Sequence, residues 1–126
     1  MSPEIDYFDD GTGLRLCCRH WRPARAPRAL IVVCHGAAEY GGRYQRFAER
    51  FLPQGYAVAA LDLPGHGKSP GRPGHIDRFE HYIAALGCFV QHLRADYPTA
   101  PVVLLGHSMG GLVVSCYLLE NAGEVL

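Results

Sequence analysis

The sequence lacks net charge and any long apolar run. Its 126 residues carry 12 Lys and Arg against 12 Asp and Glu. This balance, without any basic–aromatic module, argues against binding to nucleic acid. The longest apolar run, Ala29–Cys34, is far shorter than the roughly 20 residues of a membrane-spanning helix. We therefore expect neither a nucleic-acid partner nor an integral membrane segment.

Paired cysteines, metal-ligand spacings and a targeting segment are also lacking. The five cysteines form no Cys-x-x-Cys motif, and the seven histidines form no His-x-x-x-His pair and none lies at ligand spacing from a cysteine. These spacings predict no metal site. Residues 1–6 are acidic and have neither the basic nor the apolar region of a signal peptide. Together these features predict a cytoplasmic protein.

What is present is a regular alternation of strand and helix patterns. A hairpin is predicted for Ile5–Phe8 and Leu14–Trp21, on either side of a turn sequence. Continuous apolar runs, typical of strands buried on both faces of a parallel sheet, follow at Ala29–Cys34, Tyr56–Leu61 and Val102–Leu105.

Three helix patterns alternate with these strands. Apolar residues recur at helical spacing from Tyr44 to Leu52 and from Gly111 to Leu119. Between them, Asp77 is predicted to cap a helix, with Glu80 completing a capping box. The alternation predicts an α/β fold, an antiparallel hairpin plus parallel strands with helices on both faces.

The strongest chemical signal is the sequence GHSMG at residues 106–110, directly after the third apolar run. G-x-S-x-G between a strand and a helix is the pattern of a nucleophile elbow. The turn strains the serine backbone and projects its Oγ above the sheet, and the glycines leave room where side chains would collide. We predict Ser108 as the nucleophile, with Gly106 and Gly110 as the elbow glycines.

A second glycine-containing loop, residues 35–44, follows the first apolar run. In enzymes with such an elbow, one oxyanion donor is a backbone N–H of this loop, and the other belongs to the residue after the nucleophile. The backbone N–H groups of Ala37 and Met109 are therefore candidates for the oxyanion hole. The alternative is an ordinary strand-to-helix loop, and the neighbouring elbow favours the functional interpretation.

Three motifs, HGAAEYGGRY, DLPGHGKSPG and GHSMGG, occur in this order between residues 35 and 111. They resemble the monoacylglycerol lipase and lysophospholipase branch of the α/β-hydrolases, which is also grouped with the serine aminopeptidases. The resemblance implies hydrolysis of a fatty-acyl ester through an acyl-serine. It also implies a small lipid or ester substrate and no metal or organic cofactor. Peripheral contact with lipid would be compatible with such a substrate. Tyr40 departs from the histidine that is common at its position.

Other residues are given structural roles. The GKS at 67–69 lacks the first glycine of a phosphate-binding loop, because Asp62 stands there. The resemblance makes this segment a loop under the active site. Glu39 and Arg43, four residues apart, are predicted to form an ion pair. The resemblance makes His107 a packing residue rather than the general base.

The residues after Ser108 do not complete a catalytic triad. A serine nucleophile needs a histidine oriented by a carboxylate, and in this fold both follow the serine. Only Glu120 and Glu124, and no histidine, follow Ser108. We expect residues 1–126 to be the N-terminal part of one α/β-hydrolase domain, with an incomplete sheet, no triad Asp or His, and no activity alone. A non-catalytic module, or a thioesterase, peptidase or acyltransferase of the same fold, stays open.

Overall fold

A computed structural model describes residues 2–121 of the chain. Three α-helices lie in these residues, α1 at Gln45–Phe51, α2 at Glu80–Arg94 and α3 at Met109–Glu120. Short 3-10 helices, Gly41–Tyr44 and Leu52–Gln54, flank α1. The strands are β1 (Glu4–Asp9), β2 (Arg15–Trp21), β3 (Leu30–Cys34), β4 (Ala57–Leu61) and β5 (Val102–Gly106).

All five strands form one sheet in the order β1-β2-β4-β3-β5. The strands β1 and β2 form the predicted hairpin, and β2 is also antiparallel to β4. The strand β3 runs parallel to both β4 and β5. Because β3 and β4 have neighbours on both sides and helices on both faces, every residue of each is buried, which explains their continuous apolar runs.

Helices cover both faces of the sheet, as the alternation predicts. Along β3, Leu30 and Val32 belong to the core shared with α2 and α3, whereas Ile31 and Val33 belong to the smaller core beneath α1. The chain moves one way across the sheet from β3 to β4, and the other way from β4 past β3 to β5. Crossovers of the same hand then place their helices on opposite faces. The α/β prediction is confirmed.

The start of α2 differs from the prediction. The helix begins at Glu80, and the preceding Phe79 makes no side-chain capping bond. The amides of His81 and Tyr82 instead donate to backbone carbonyls three residues earlier, at 3.0 Å each, so a capping carboxylate is not needed. Asp77 contacts the ring of His75 at 2.8 Å on the surface. The predicted capping box is therefore wrong.

The remaining helix patterns match the structure closely. The predicted helix at 44–52 corresponds to α1 with its flanking 3-10 helices. The predicted helix at 111–119 begins two residues earlier, at Met109, directly after Ser108. Within residues 2–121, no helix is both long and apolar enough to cross a membrane.

Candidate active site

Ser108 lies at the junction of β5 and α3, where the chain reverses sharply. Its φ of 56° and ψ of −117° are unusual for a residue with a side chain. The residue is exposed, and its position at the N-terminus of α3 places it at the positive end of the helix. This is the strand–turn–helix geometry that the motif predicts.

The two elbow glycines are required by close backbone approaches. A Cβ on Gly106 would lie 2.5 Å from the carbonyl oxygen of Gly110. A Cβ on Gly110 would overlap the carbonyl oxygen of Cys34 and lie 2.5 Å from that of His35. Real Cβ atoms do not approach backbone this closely, so a side chain at either position would open the turn.

The loop after β3 packs directly against this elbow. Glu39 N–H donates to the Gly36 carbonyl at 3.2 Å, which closes a four-residue turn. Inside the turn, Ala38 has a φ of 61°. A Cβ on Gly36 would lie 3.2 Å from the Cβ of Ser108, so the turn and the elbow are in contact.

Two backbone donors beside Ser108 have no acceptor. Within residues 2–121, neither the N–H of Ala37 nor that of Met109 donates a backbone or side-chain hydrogen bond. Ala37 is the second residue of the turn, and Met109 is the first residue of α3, whose amide lies outside the helical hydrogen-bond ladder. Both donors are therefore free to bind an anionic oxygen.

The carboxylate of Glu39 connects the turn to the elbow. Its Oε2 accepts the Gly36 N–H at 3.0 Å and contacts His107 Nδ1 at 2.7 Å. Its Oε1 accepts the Tyr44 hydroxyl at 3.3 Å. Burial alone would raise the pKa of Glu39, but the bonds from His107 and Gly36 outweigh it and lower that pKa below its ordinary value.

Two predictions are corrected here. Glu39 does not pair with Arg43, because an extended Tyr40 (φ −163°, ψ 163°) separates Glu39 from the 3-10 helix at Gly41–Tyr44. The two residues therefore do not share one helical face. His107 is not a packing residue, since its side chain is 64% exposed and its ring is bonded to Glu39.

The loop from Asp62 to Ser69 packs against the segment that follows β3. Asp62 is fully buried and bonds to the guanidinium of Arg19 at 2.7 Å. It also accepts the backbone N–H groups of Gly41 at 2.7 Å and Lys68 at 2.9 Å. The Ser69 hydroxyl donates to the Asp62 carbonyl at 2.6 Å. These bonds hold the loop's own backbone, in agreement with a structural role.

His35 ties this loop to the turn above it. Its Nε2 accepts the Leu63 N–H at 3.0 Å, so Nδ1 carries the proton and donates to the Gly36 carbonyl at 2.7 Å. Burial lowers the pKa of His35, which keeps the ring neutral. The ring therefore acts as a fixed bridge between two loops.

No general base reaches Ser108 from the described part of the chain. Within residues 2–121, the Ser108 hydroxyl makes no hydrogen bond to a histidine or a carboxylate. Glu120 lies at the far end of α3, about 16 Å along the helix axis at 1.5 Å per residue. The described residues thus contain an exposed serine on the elbow and two backbone donors without an acceptor, but no histidine or carboxylate bonded to that serine.

One group of side chains could hold a metal ion. The ligand atoms of Asp6, Cys18 and His92 lie within 4.8 Å of one another, on β1, β2 and α2. Sequence spacing misses this group because its members come from three separate elements. Burial raises the pKa of the Cys18 thiol to about 12, so the thiol is protonated at neutral pH. Asp6 and His92 contact each other at 3.1 Å, and none of the three lies on the elbow or the turn beside it.

Comparison with known proteins gives the family. The family model described as "Serine aminopeptidase, S33" matches residues 25–125. The chain belongs to this family. Its relatives include the human monoglyceride lipase, 37% identical over 121 residues that cover 96% of this chain and 40% of that protein. The phospholipase YtpA of Bacillus subtilis is 45% identical over 93 residues, which cover 74% of this chain and 35% of that protein.

A solved structure supports the same assignment. A soluble variant of the Saccharomyces cerevisiae monoglyceride lipase, in complex with a substrate analogue, matches with a TM-score of 0.83 and 27% identity. The match covers 95% of this chain and 40% of that chain. The fold is therefore the N-terminal portion of an α/β-hydrolase, and the resemblance to the monoacylglycerol lipase and lysophospholipase branch is confirmed. The chain spans about 40% of the length of the human relative.

Sequence reasoning missed the contact between Glu39 and His107. Glu39 and His107 are 68 residues apart in sequence, so no local pattern connects them. They meet because β3 and β5 are neighbours, with Cys34 paired to Gly106 at their ends. The parallel pairing could have suggested the contact, since the carboxyl ends of neighbouring parallel strands lie at the same edge of the sheet.

Proposed function

We propose that this chain supplies the nucleophile and the oxyanion hole of a serine hydrolase that cleaves fatty-acyl esters of the monoacylglycerol or lysophospholipid type. The observation that carries the proposal is Ser108 on a strained elbow, with unbonded N–H groups on Met109, the next residue, and on Ala37, in the turn that contacts the elbow. The names of the family's lipase and phospholipase members support a lipid ester as the substrate.

The proposed reaction has two steps. Ser108 Oγ attacks the acyl carbonyl, its proton passes to a histidine base, and the carbonyl oxygen becomes an oxyanion. The N–H groups of Ala37 and Met109 stabilise that oxyanion. The ester C–O bond then breaks, and the leaving alcohol takes the proton from the histidine. In the second step, water loses a proton to the same histidine and attacks the acyl-serine carbonyl. The bond between the acyl carbon and Ser108 Oγ breaks, Oγ takes the proton back from the histidine, and the fatty acid is released.

We further propose that residues 1–126 form the N-terminal part of a single hydrolase domain, whose acid and histidine lie outside this chain. The outer edge of β5 has no neighbouring strand among the described residues. Val103 on β5 is 50% exposed and Leu112 on α3 is 55% exposed. An open edge with apolar side chains is a site of aggregation unless it is covered, and further strands of the same domain would cover it.

A fluorophosphonate probe tests the nucleophile. In the intact protein that includes this chain and its remaining triad residues, the probe is expected to label Ser108, and Ser108→Ala is expected to abolish labelling. Ser115→Ala is the matched control, because Ser115 lies on α3 with its hydroxyl bonded to the Gly111 carbonyl at 2.8 Å. Labelling that survives Ser108→Ala would contradict the assignment. The 126-residue chain alone is expected to remain unlabelled, since no base activates the serine.

Substrate profiling of the intact protein tests the substrate class. Monoacylglycerol and lysophospholipid are expected to be hydrolysed faster than an acyl thioester or an aminoacyl anilide. Faster turnover of the thioester or the anilide would instead favour a thioesterase or a peptidase. Formation of a new ester with an added alcohol, at the expense of free fatty acid, would favour an acyltransferase.

A further inference from the structure

The Glu39 carboxylate lies where three segments around Ser108 meet. One oxygen, Oε2, accepts the Gly36 N–H of the turn at 3.0 Å and contacts His107 Nδ1 of the elbow at 2.7 Å. The other, Oε1, accepts the hydroxyl of Tyr44 at 3.3 Å. Tyr44 belongs to the 3-10 helix that follows the turn. The side chain of Glu39 is only 14% exposed, whereas that of His107 is 64% exposed. Packing therefore fixes the carboxylate, and the carboxylate in turn fixes the imidazole.

These contacts bear on the orientation of the Ala37 N–H. The turn at residues 36–39 contains Ala38 at a φ of 61°, a conformation that costs free energy for any residue with a Cβ. One backbone bond closes the turn, from Glu39 N–H to the Gly36 carbonyl at 3.2 Å. The Glu39 side chain closes it a second time by accepting the Gly36 N–H. Without the second closure, the strained turn can relax and the Ala37 N–H can rotate away.

We infer that Glu39 is a positioning residue that holds the Ala37 N–H in place for the oxyanion at Ser108, by closing the turn and anchoring it to His107. This inference rests on the proposed function. Glu39 acts through other groups, since its own bonds are to Gly36, Tyr44 and His107. Oxyanion donors are effective because they are fixed before charge develops, so a group that prevents their movement contributes to kcat.

Kinetics of Glu39 variants in the intact protein test the inference. With a p-nitrophenyl ester, Glu39→Ala is expected to lower kcat by about tenfold or more, short of the roughly 100- to 1,000-fold that loss of an oxyanion donor costs. The KM is expected to change little, because the oxyanion exists only after substrate binding. Glu39→Gln is expected to recover part of kcat, since its amide oxygen still accepts one hydrogen bond. Glu49→Ala, on the exposed face of α1, is the control.

A transition-state analogue separates positioning from general damage. A trifluoromethyl ketone forms an oxyanion at the serine, so its affinity is expected to fall in proportion to kcat/KM across the variants. An unchanged analogue affinity, or a rise in KM at constant kcat, would overturn the inference.

Amide hydrogen exchange gives a readout that does not depend on activity. The backbone amide of residue 39 donates to the Gly36 carbonyl. It is expected to exchange faster in Glu39→Ala than in the wild type, and at the wild-type rate in Glu49→Ala. If the wild-type protein is active but Glu39→Ala keeps its kcat, the inference alone fails. If Ser108 is not labelled and no ester is hydrolysed, the proposed function fails. Independently of activity, an unchanged exchange rate of the residue 39 amide in Glu39→Ala would show that the Glu39 side chain does not hold the turn.

Discussion

At the scale of single residues, the site is built from backbone conformations that cost free energy. Ala38 and Ser108 are the non-glycine residues with positive φ among residues 2–121. Such conformations cost of the order of 1–3 kcal/mol each and persist only where the surroundings enforce them. For Ser108 the enforcement comes from contact between the start of α3 and the end of β3, where Gly110 lies against the carbonyls of Cys34 and His35.

Two neighbouring glycines test this account. Gly110→Ala would force a Cβ into the Cys34 and His35 carbonyls, and we expect it to lower the free energy of unfolding by about 1–3 kcal/mol and to reduce fluorophosphonate labelling of Ser108. Gly111→Ala is the control, since its Cβ would lie 3.5 Å from the nearest atom. Alanine also favours the helix by up to about 1 kcal/mol. Equal effects in urea unfolding of the two variants would contradict the steric argument.

At the scale of elements, the loop between β4 and α2 is organised by one buried carboxylate. Asp62, at the end of β4, bonds to Arg19 of β2 and to the amides of Gly41 and Lys68. The loop therefore does not depend on regular secondary structure for its shape. Its position under the turn at 36–39 in turn depends on His35, which accepts the Leu63 amide.

Asp62→Asn is expected to disrupt this loop. The variant leaves the Arg19 guanidinium buried without a counter-charge and replaces one acceptor oxygen with an amide NH₂. Removing one partner of a buried pair costs about 3–5 kcal/mol, to be measured as the free energy of unfolding in urea. Asp77→Asn is the control, because Asp77 is exposed and caps no helix, so a change within about 0.5 kcal/mol is expected. A small loss for Asp62→Asn would show that the loop is held by other contacts.

At the scale of the whole molecule, the repetitive features were predictable and the long-range contacts were not. Strand and helix periods specify β3, β4, β5 and α1, because burial on a sheet or on one helix face imposes a fixed spacing of apolar residues. The elbow was predictable because its strand, its G-x-S-x-G turn and its helix follow one another directly in the sequence. The Glu39–His107 contact was not, since it depends on which strands become neighbours. The capping box failed because backbone bonds at 3.0 Å satisfied the first amides of α2 instead.

Buried neutral histidines make the stability of the whole molecule depend on pH. His20 on β2 is 5% exposed and shares a hydrogen bond with the Tyr97 hydroxyl. Burial, and then the charge of Arg22, lowers the pKa of His20 to about 4, and burial lowers the pKa of His35. In the unfolded chain both titrate at an ordinary value of about 6.5. Below that pH the unfolded state binds protons that the folded state does not, so the free energy of unfolding decreases as the pH is lowered.

For His20, the expected loss occurs between about pH 6.5 and pH 4, where this histidine is protonated in the unfolded chain and neutral in the folded one. The lowered pKa of His35 adds a loss of the same sign as the pH falls below about 6.5. For His20 alone, it is of the order of 3 kcal/mol at the lower limit. Urea unfolding of the intact protein from pH 8 to pH 4.5 measures the slope. His20→Gln is expected to flatten it, because an amide can still bond to Tyr97 but does not titrate. His75→Gln, at an exposed position, is expected to keep the wild-type slope. An unchanged slope in His20→Gln would mean that His20 is not kept neutral by burial, and that the acid sensitivity of the fold arises elsewhere.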